Sequence, residues 1–346
     1  MRRRAAFLLG AIAAAPLAPL HPASAQGSPG SSLGASHLIV IVGAGGEPRY
    51  SEEFHAAALA ILDAARGRFA LAEANVVYLG ENPSRAPGRI SARSSRENVE
   101  RALAATAARA GVGDELWVVL VGHGSGEGER SRFNLPGPDM TAADFRRALA
   151  PFGVRRVAFV NAASASGDFA RVLAAPNRAV VTATKSALER NETLFARHFA
   201  AALAAPGADV DKDGRVTLLE AFTYTRREVA REYERDNRLL TEHAQLDDDG
   251  DGAASADPGP RARDGSLAAA IALTGGRASA AAVASASNPG VAPLLTQRSD
   301  LEARVAALRQ RKATMEATAY ERELERLLLT LARTSRAIRA AEGEAP

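Results

Sequence analysis

Apolar residues come in short continuous runs separated by stretches of helical spacing. Leu38–Val42, Val76–Leu79, Leu116–Val121, Val157–Val160 and Ala179–Thr182 each have the length and continuity of a strand buried on both faces. Between them, Phe54, Ala58 and Ile61-Leu62 keep a helical period after Ser51, which predicts a helix to about Arg68. Ser94 with Glu97 predicts a capped helix to about Ala110, and Thr141 with Asp144 predicts one through Leu149. Glu192–Leu203 and Ala221–Tyr233 complete the helical segments. Strands alternating with helices predict a mostly parallel sheet covered on both faces, a three-layer α/β/α sandwich.

The two ends of the chain depart from this alternation. Arg2, Arg3 and Arg4 precede an apolar stretch, Ala5–Leu20, and Ala23-Ser24-Ala25 offers small residues for cleavage. Residues 1–25 therefore read as a signal peptide, with Pro16 and Pro19 interrupting a stretch already short for a membrane span. The expected location is periplasmic or secreted; the Arg cluster leaves Sec and twin-arginine export both open. Residues 26–36, rich in Gly and Ser, read as a flexible lead-in. Composition turns to Ala, Gly, Ser and Pro over 253–297, which predicts a low-complexity linker. Leu301, Val305, Leu308 and Met315, then Tyr320, Leu324, Leu327, Leu331 and Ile338, keep heptad-like spacing with a phase slip. That pattern predicts a helical hairpin or coiled coil over 298–341, its stripe either packed on the main domain or used for self-association.

Charge and cysteine content narrow the chemistry. Removing the signal segment takes three arginines from 43 basic residues and leaves 40 against 40 acidic ones. A formally neutral chain gives no general case for nucleic acid or an anionic membrane. The chain has no cysteine, which excludes thiolate catalysis, thiolate–zinc sites and redox motifs. No Gly-rich phosphate loop or zinc spacing is present. Lys185, Lys212 and Lys312 are the only lysines.

In an open α/β sheet, reactive groups gather beyond the carboxyl ends of the strands. His123 follows the third strand between Gly122 and Gly124, and Ser164 and Ser166 follow the fourth in Asn161-Ala162-Ala163-Ser164-Ala165-Ser166-Gly167. A hydroxyl beside a neutral imidazole is the minimal nucleophile–base pair, and backbone N–H groups around Gly124 and Ser164 are candidates for an oxyanion hole. These residues resemble the legumain-like and caspase-like peptidases over about Leu38–Gly252. His123 matches that family's catalytic histidine, followed by Gly124 and Ser125; Ala163, Ser166 and Gly167 match the frame of its nucleophile. The resemblance implies a caspase–legumain-type α/β/α domain over 37–252, to which the heptad-like spacing adds a C-terminal helical extension.

Ser164 stands where the family has cysteine, and Ala162 replaces the glutamate usual in legumains. Serine needs a true general base and an orienting acid, for which Glu52, Glu53, Asp168 and Glu189 are the candidates.

Asp209-Val210-Asp211-Lys212-Asp213-Gly214-Arg215-Val216-Thr217-Leu218-Leu219-Glu220 fits a twelve-residue calcium loop of the EF-hand kind. Asp209, Asp211 and Asp213 supply oxygens, Gly214 the sharp turn and Arg215 a backbone carbonyl. Thr217 holds the position often bridged by water, and Glu220 closes the site. Pro206 and Gly207 interrupt the entering helix. Asp247-Asp248-Asp249-Gly250-Asp251-Gly252 repeats the opening of such a loop but reaches Pro258 at the twelfth position, so a partial calcium site and an acidic turn both fit. His243 reads as a ligand or a structural histidine, His55 and His198 as packing or surface residues, and Trp117 as core.

The expected function is an exported, calcium-binding pseudopeptidase that acts on a peptide or protein partner by binding. Two alternatives stand beside it: a serine-variant hydrolase using Ser164 and His123, and an assembly module working through 298–341.

Overall fold

The computed structural model describes residues 34–276 except 112 and 213, positions 293, 294, 297, 298, 300, 301, 304, 305 and 308, and residues 315–342. The expected signal peptide, most of the lead-in and residues 277–292 lie outside them.

The elements run β1 (Ser36–Val42), α1 (Pro48–Gly67), β2 (Val76–Gly80), β3 (Ala92–Arg93), α2 (Arg96–Arg109), β4 (Glu115–Val121), β5 (Gly124–Ser125), β6 (Arg132–Phe133) and β7 (Met140–Thr141). Then follow α3 (Ala142–Leu149), β8 (Arg156–Asn161), α4 (Asp168–Leu173), β9 (Arg178–Thr182), α5 (Phe195–Ala204), α6 (Leu218–Arg235), β10 (Gln245–Asp247) and α7 (Ala317–Glu342). Seven strands form one sheet in the order β10-β9-β8-β4-β1-β2-β3. Every pairing is parallel except β10 with β9, which is antiparallel. β5, β6 and β7 make a small antiparallel sheet of their own.

Alternation along the strands divides the core in two. Leu38, Val40, Trp117, Val119, Ala158 and Val160 face α1, α5 and α6, while Ile39, Ile41, Val118, Leu120, Val157 and Phe159 face α2, α3 and α4. A period of two sends neighbours to opposite faces, and continuous runs bury both. The α/β/α expectation holds, with a mostly parallel sheet and a C-terminal helix.

Local corrections follow from geometry. α1 starts at Pro48 rather than Ser51, because proline at the first turn needs no N–H partner. The cap of α2 is Ser95, which accepts from the Asn98 N–H, and not Ser94. Thr141 and Asp144 form the expected capping box. α5 starts at Phe195 rather than Glu192, and α6 at Leu218, so Glu220 lies inside its first turn.

The linker expectation for 253–297 is corrected over its first part. Ala268, Ile271 and Leu273 are buried in the core under α6, and Leu246 and Ser255 exchange backbone hydrogen bonds. Small residues here permit close packing. The described apolar positions of the C-terminal segment form a cluster of their own, in which Leu301, Val305 and Leu308 pack with Tyr320 and Leu327 of α7.

Candidate functional site

Strand order reverses between β1 and β4, and β4 pairs with β8 up to Leu120 and Asn161. His123 and Ser164 therefore leave neighbouring strands at the same edge. The turn carrying Ser164 is held from all sides. Ala163 N–H donates to Asn161 Oδ1 (3.1 Å), Ala165 N–H to the Glu189 carbonyl (2.8 Å), and Ser166 N–H to Thr184 Oγ1 (2.8 Å). Thr184 N–H donates back to Ser166 Oγ (3.2 Å), and the Thr193 hydroxyl donates to the Ala162 carbonyl (2.7 Å). Ala165 takes φ 51°, a left-handed conformation costly for a residue with a Cβ.

Ser164 is 3% exposed, and the Gly124 N–H reaches its Oγ at 3.4 Å. The backbones are so close here that a Cβ on Gly124 would lie 2.3 Å from the Ser164 carbonyl oxygen. The group expected to serve an oxyanion is thus directed at the serine itself.

His123 is half-buried, edge-on to Tyr50 (4.9 Å) and Phe54 (5.0 Å). Burial holds its pKa below the usual histidine value, opposed by the Gly45 carbonyl that accepts from the ring and by the charges of Glu192 and Glu47. Among the described residues, no hydrogen bond joins His123 to Ser164.

Each candidate orienting acid is engaged elsewhere. Glu52 faces Arg85 (3.6 Å), and Glu53 shares a hydrogen bond with Glu192. Asp168 accepts from the Gly128 N–H (2.7 Å). Glu189 accepts from the His243 backbone N–H (3.0 Å) and pairs with His243 Nδ1 (2.5 Å), giving that histidine a structural partner. His55 bonds Tyr78 (2.7 Å), and His198 bonds Glu232 (2.8 Å).

The calcium loop brings its acids together. Carboxylate oxygens of Asp209, Asp211 and Glu220 lie within 4.8 Å of one another, a donor set that fits a hard cation. Asp213 lies outside the described residues. Gly214 turns the loop at φ 85°, and its N–H donates to Asp209 Oδ2 (2.9 Å). Thr217 caps α6, its hydroxyl accepting from the Glu220 N–H while Glu220 Oε2 accepts from Thr217 N–H (2.9 Å). Leu218 N–H donates to the Ile271 carbonyl and Leu219 N–H to that of Ala268, so residues 268–272 brace the loop. The Arg215 charge lies near Glu115.

The second acidic run gains a member that its spacing does not reveal. Asp247, Asp249 and Asp264 bring oxygens within 4.8 Å, while Arg263 bonds Asp249 (2.8 Å) and pairs with Asp251. Burial raises Asp247 to about 6, eased by the Gly252 N–H and reinforced by Asp264. Asp248 is satisfied by the Gly265 and Ala268 N–H groups (2.7 Å each).

Sequence reasoning did not find Glu47, Tyr50, Phe54 and Glu192 around His123. They come from the start of α1 and from the segment before α5, far apart in the chain, and only the strand order places those segments together.

No family model and no curated protein matches the chain. A solved structure to which it is similar is the Drosophila initiator caspase Dronc, at 10% identity and a TM-score of 0.39, covering 62% of this chain and 79% of that one. At that score the likeness carries no site assignment; the fold stands on strand order and helix placement. No described helix is long and apolar enough to cross a membrane.

Proposed function

We propose that this chain is an exported, calcium-binding protein of caspase-like fold. In this reading its Ser164–His123 site has lost catalysis and acts by binding a peptide or protein segment. The observation that carries the reading is that, among the described residues, no hydrogen bond joins Ser164 to a base. Its Oγ meets the Gly124 N–H, while the His123 ring packs edge-on against Tyr50 and Phe54. A serine hydroxyl without a base is a poor nucleophile at neutral pH. Calcium at 209–220 is supported by the convergence of Asp209, Asp211 and Glu220; when bound, it adds folding stability and fixes the start of α6. Export is supported by the basic, apolar and small-residue order of residues 1–25.

The test is turnover of peptide and p-nitrophenyl ester substrates, with calcium present, by the natural chain, Ser164→Ala and His123→Ala. All three are expected to remain at the uncatalysed rate. Turnover by the natural chain that both substitutions abolish would establish the serine hydrolase instead.

A further inference from the structure

α7 turns one side to its own chain. Tyr320, Leu327, Thr334 and Ile338 are buried, and Tyr320 and Leu327 pack with Leu301, Val305 and Leu308. The heptad-like stripe is thus used within the chain, and α7 carries a different pattern on its opposite side.

Helical spacing places Glu321, Glu325, Leu328, Leu329, Ala332 and Arg336 on that opposite side. All six are exposed, with the two leucines near the midpoint of the helix. Charge on this face is divided by the leucines. Glu321 and Glu325 lie before them, and Arg336 with the adjoining Arg333 lies after them. Like charges one turn apart weaken the helix that carries them, and among the described residues none of these four makes an ion pair. Charges at the flank are satisfied locally: Glu323 pairs with Arg304 and Arg326, and Arg322 donates to the Thr318 carbonyl.

Such a face is complementary to itself. Glu321 stands seven residues before Leu328, and Arg336 seven after Leu329. Turning a second copy about a two-fold axis between the leucines sets each Glu321 opposite the other copy's Arg336. Each Glu325 then lies within one residue of facing the other copy's Arg333. Leucines of both copies meet at the axis and leave water together. A two-fold contact uses the same surface on both copies, so every ion pair occurs twice. Parallel helices would instead set Glu321 against Glu321 and Arg336 against Arg336.

We infer that this face of α7 docks on the same face of a second copy of the chain, the two helices antiparallel about that axis. One helix face is small for a protein interface, so the dimer is weak and depends on concentration. It does not depend on the reading of Ser164 and His123.

Sedimentation velocity of the full chain across the micromolar range tests the contact. The samples are the natural chain, Leu328→Glu, Glu321→Arg, Arg336→Glu and an equimolar mixture of the last two. Every substitution is at an exposed position, so thermal melts by circular dichroism should match the natural chain. The natural chain is expected to pass from monomer to dimer as concentration rises. Leu328→Glu should stay monomeric. Each charge reversal should weaken the dimer about tenfold, since it sets like charges together at two symmetric points. The mixture should regain the natural affinity, because each reversed charge then faces its opposite on the other variant. A natural chain that stays monomeric throughout overturns the inference. So does a dimer indifferent to Leu328→Glu, which would belong to another surface. Reversals that weaken the dimer singly and are not relieved in the mixture overturn the antiparallel pairing.

Discussion

Glu115 opens β4 at 5% exposure, 2.6 Å from Arg156, with its Oε2 lacking any hydrogen-bond partner. Burial raises its pKa to about 7, against the pull of Arg156 and Arg215. Glu242 is likewise raised to about 7 by burial, although the N–H groups of Leu194 and Phe195 favour its charge. For acids raised on folding, the contribution to stability is complete below the ordinary carboxylate range and is lost as pH climbs through about 7. Asp144 works in the opposite sense. Burial pushes it up, but Arg96, Thr141 and Arg147 outweigh that and hold it well below its usual value; its contribution is lost in acid. Melting temperature, followed in chelator from pH 5 to 8, should therefore fall less steeply in Glu115→Gln than in the natural chain, and equal slopes would refute the assignment. Arg156→Met leaves Glu115 without its partner and should cost about 3 kcal/mol in urea unfolding at neutral pH, at the low end for a broken buried pair because Arg156 is partly exposed. Some of these residues were legible in the sequence and some were not. Ser164 and His123 stand out because strand runs and glycines frame them. Glu47, Tyr50 and Glu192 do not, since each is an ordinary loop or helix residue until the sheet brings their segments together.

The calcium loop and α6 share residues, so cap and ligand must be separated by the choice of substitution. Thr217→Ala removes the hydroxyl that accepts from the Glu220 N–H and should destabilise the chain by about 1 kcal/mol in chelator, where the cap alone is at stake. Glu220→Gln keeps a side chain able to complete a capping box but weakens the closing ligand. Differential scanning fluorimetry should show Glu220→Gln close to the natural chain in chelator and well below it in calcium. Calcium at a hundredfold excess over Kd is worth about 2.7 kcal/mol to a chain that binds it only when folded. An equal response of both proteins to calcium would remove the site. Gly124→Ala, whose Cβ would meet the Ser164 carbonyl oxygen at 2.3 Å, should destabilise by about 1–3 kcal/mol through backbone displacement. At this scale the sequence was informative wherever one local rule acts alone. The five buried runs became strands, and Thr141 with Asp144 became a capping box. β10 and β3 escaped notice because strands of three and two residues carry too few positions for a period. Ser95 took the cap from its neighbour Ser94, which is buried where a cap must bend outward into the first turn.

Across the molecule, residues 264–276 tie distant parts together. The Ser36 N–H bonds the Thr274 carbonyl, the Gly275 N–H bonds that of Phe69, and the Ala268 N–H bonds Asp248. Composition hid this strap, because Ala, Gly and Ser read as linker although they also allow backbone to lie close against backbone. The apolar cluster of Leu301, Val305, Leu308, Tyr320 and Leu327 is separate from the two core clusters on the faces of the sheet. Removing residues from Arg298 onward is thus expected to leave a cooperatively folding domain by circular dichroism; loss of the transition would make the extension part of the fold. Leu328 and Leu329 remain 42% and 52% exposed on α7. The central claim concerns the serine, and intact mass after exposure to a fluorophosphonate probe, with calcium present and Ser164→Ala alongside, tests it most directly. The account predicts an unmodified mass for both proteins, while a single adduct on the natural chain, absent from Ser164→Ala, would contradict it.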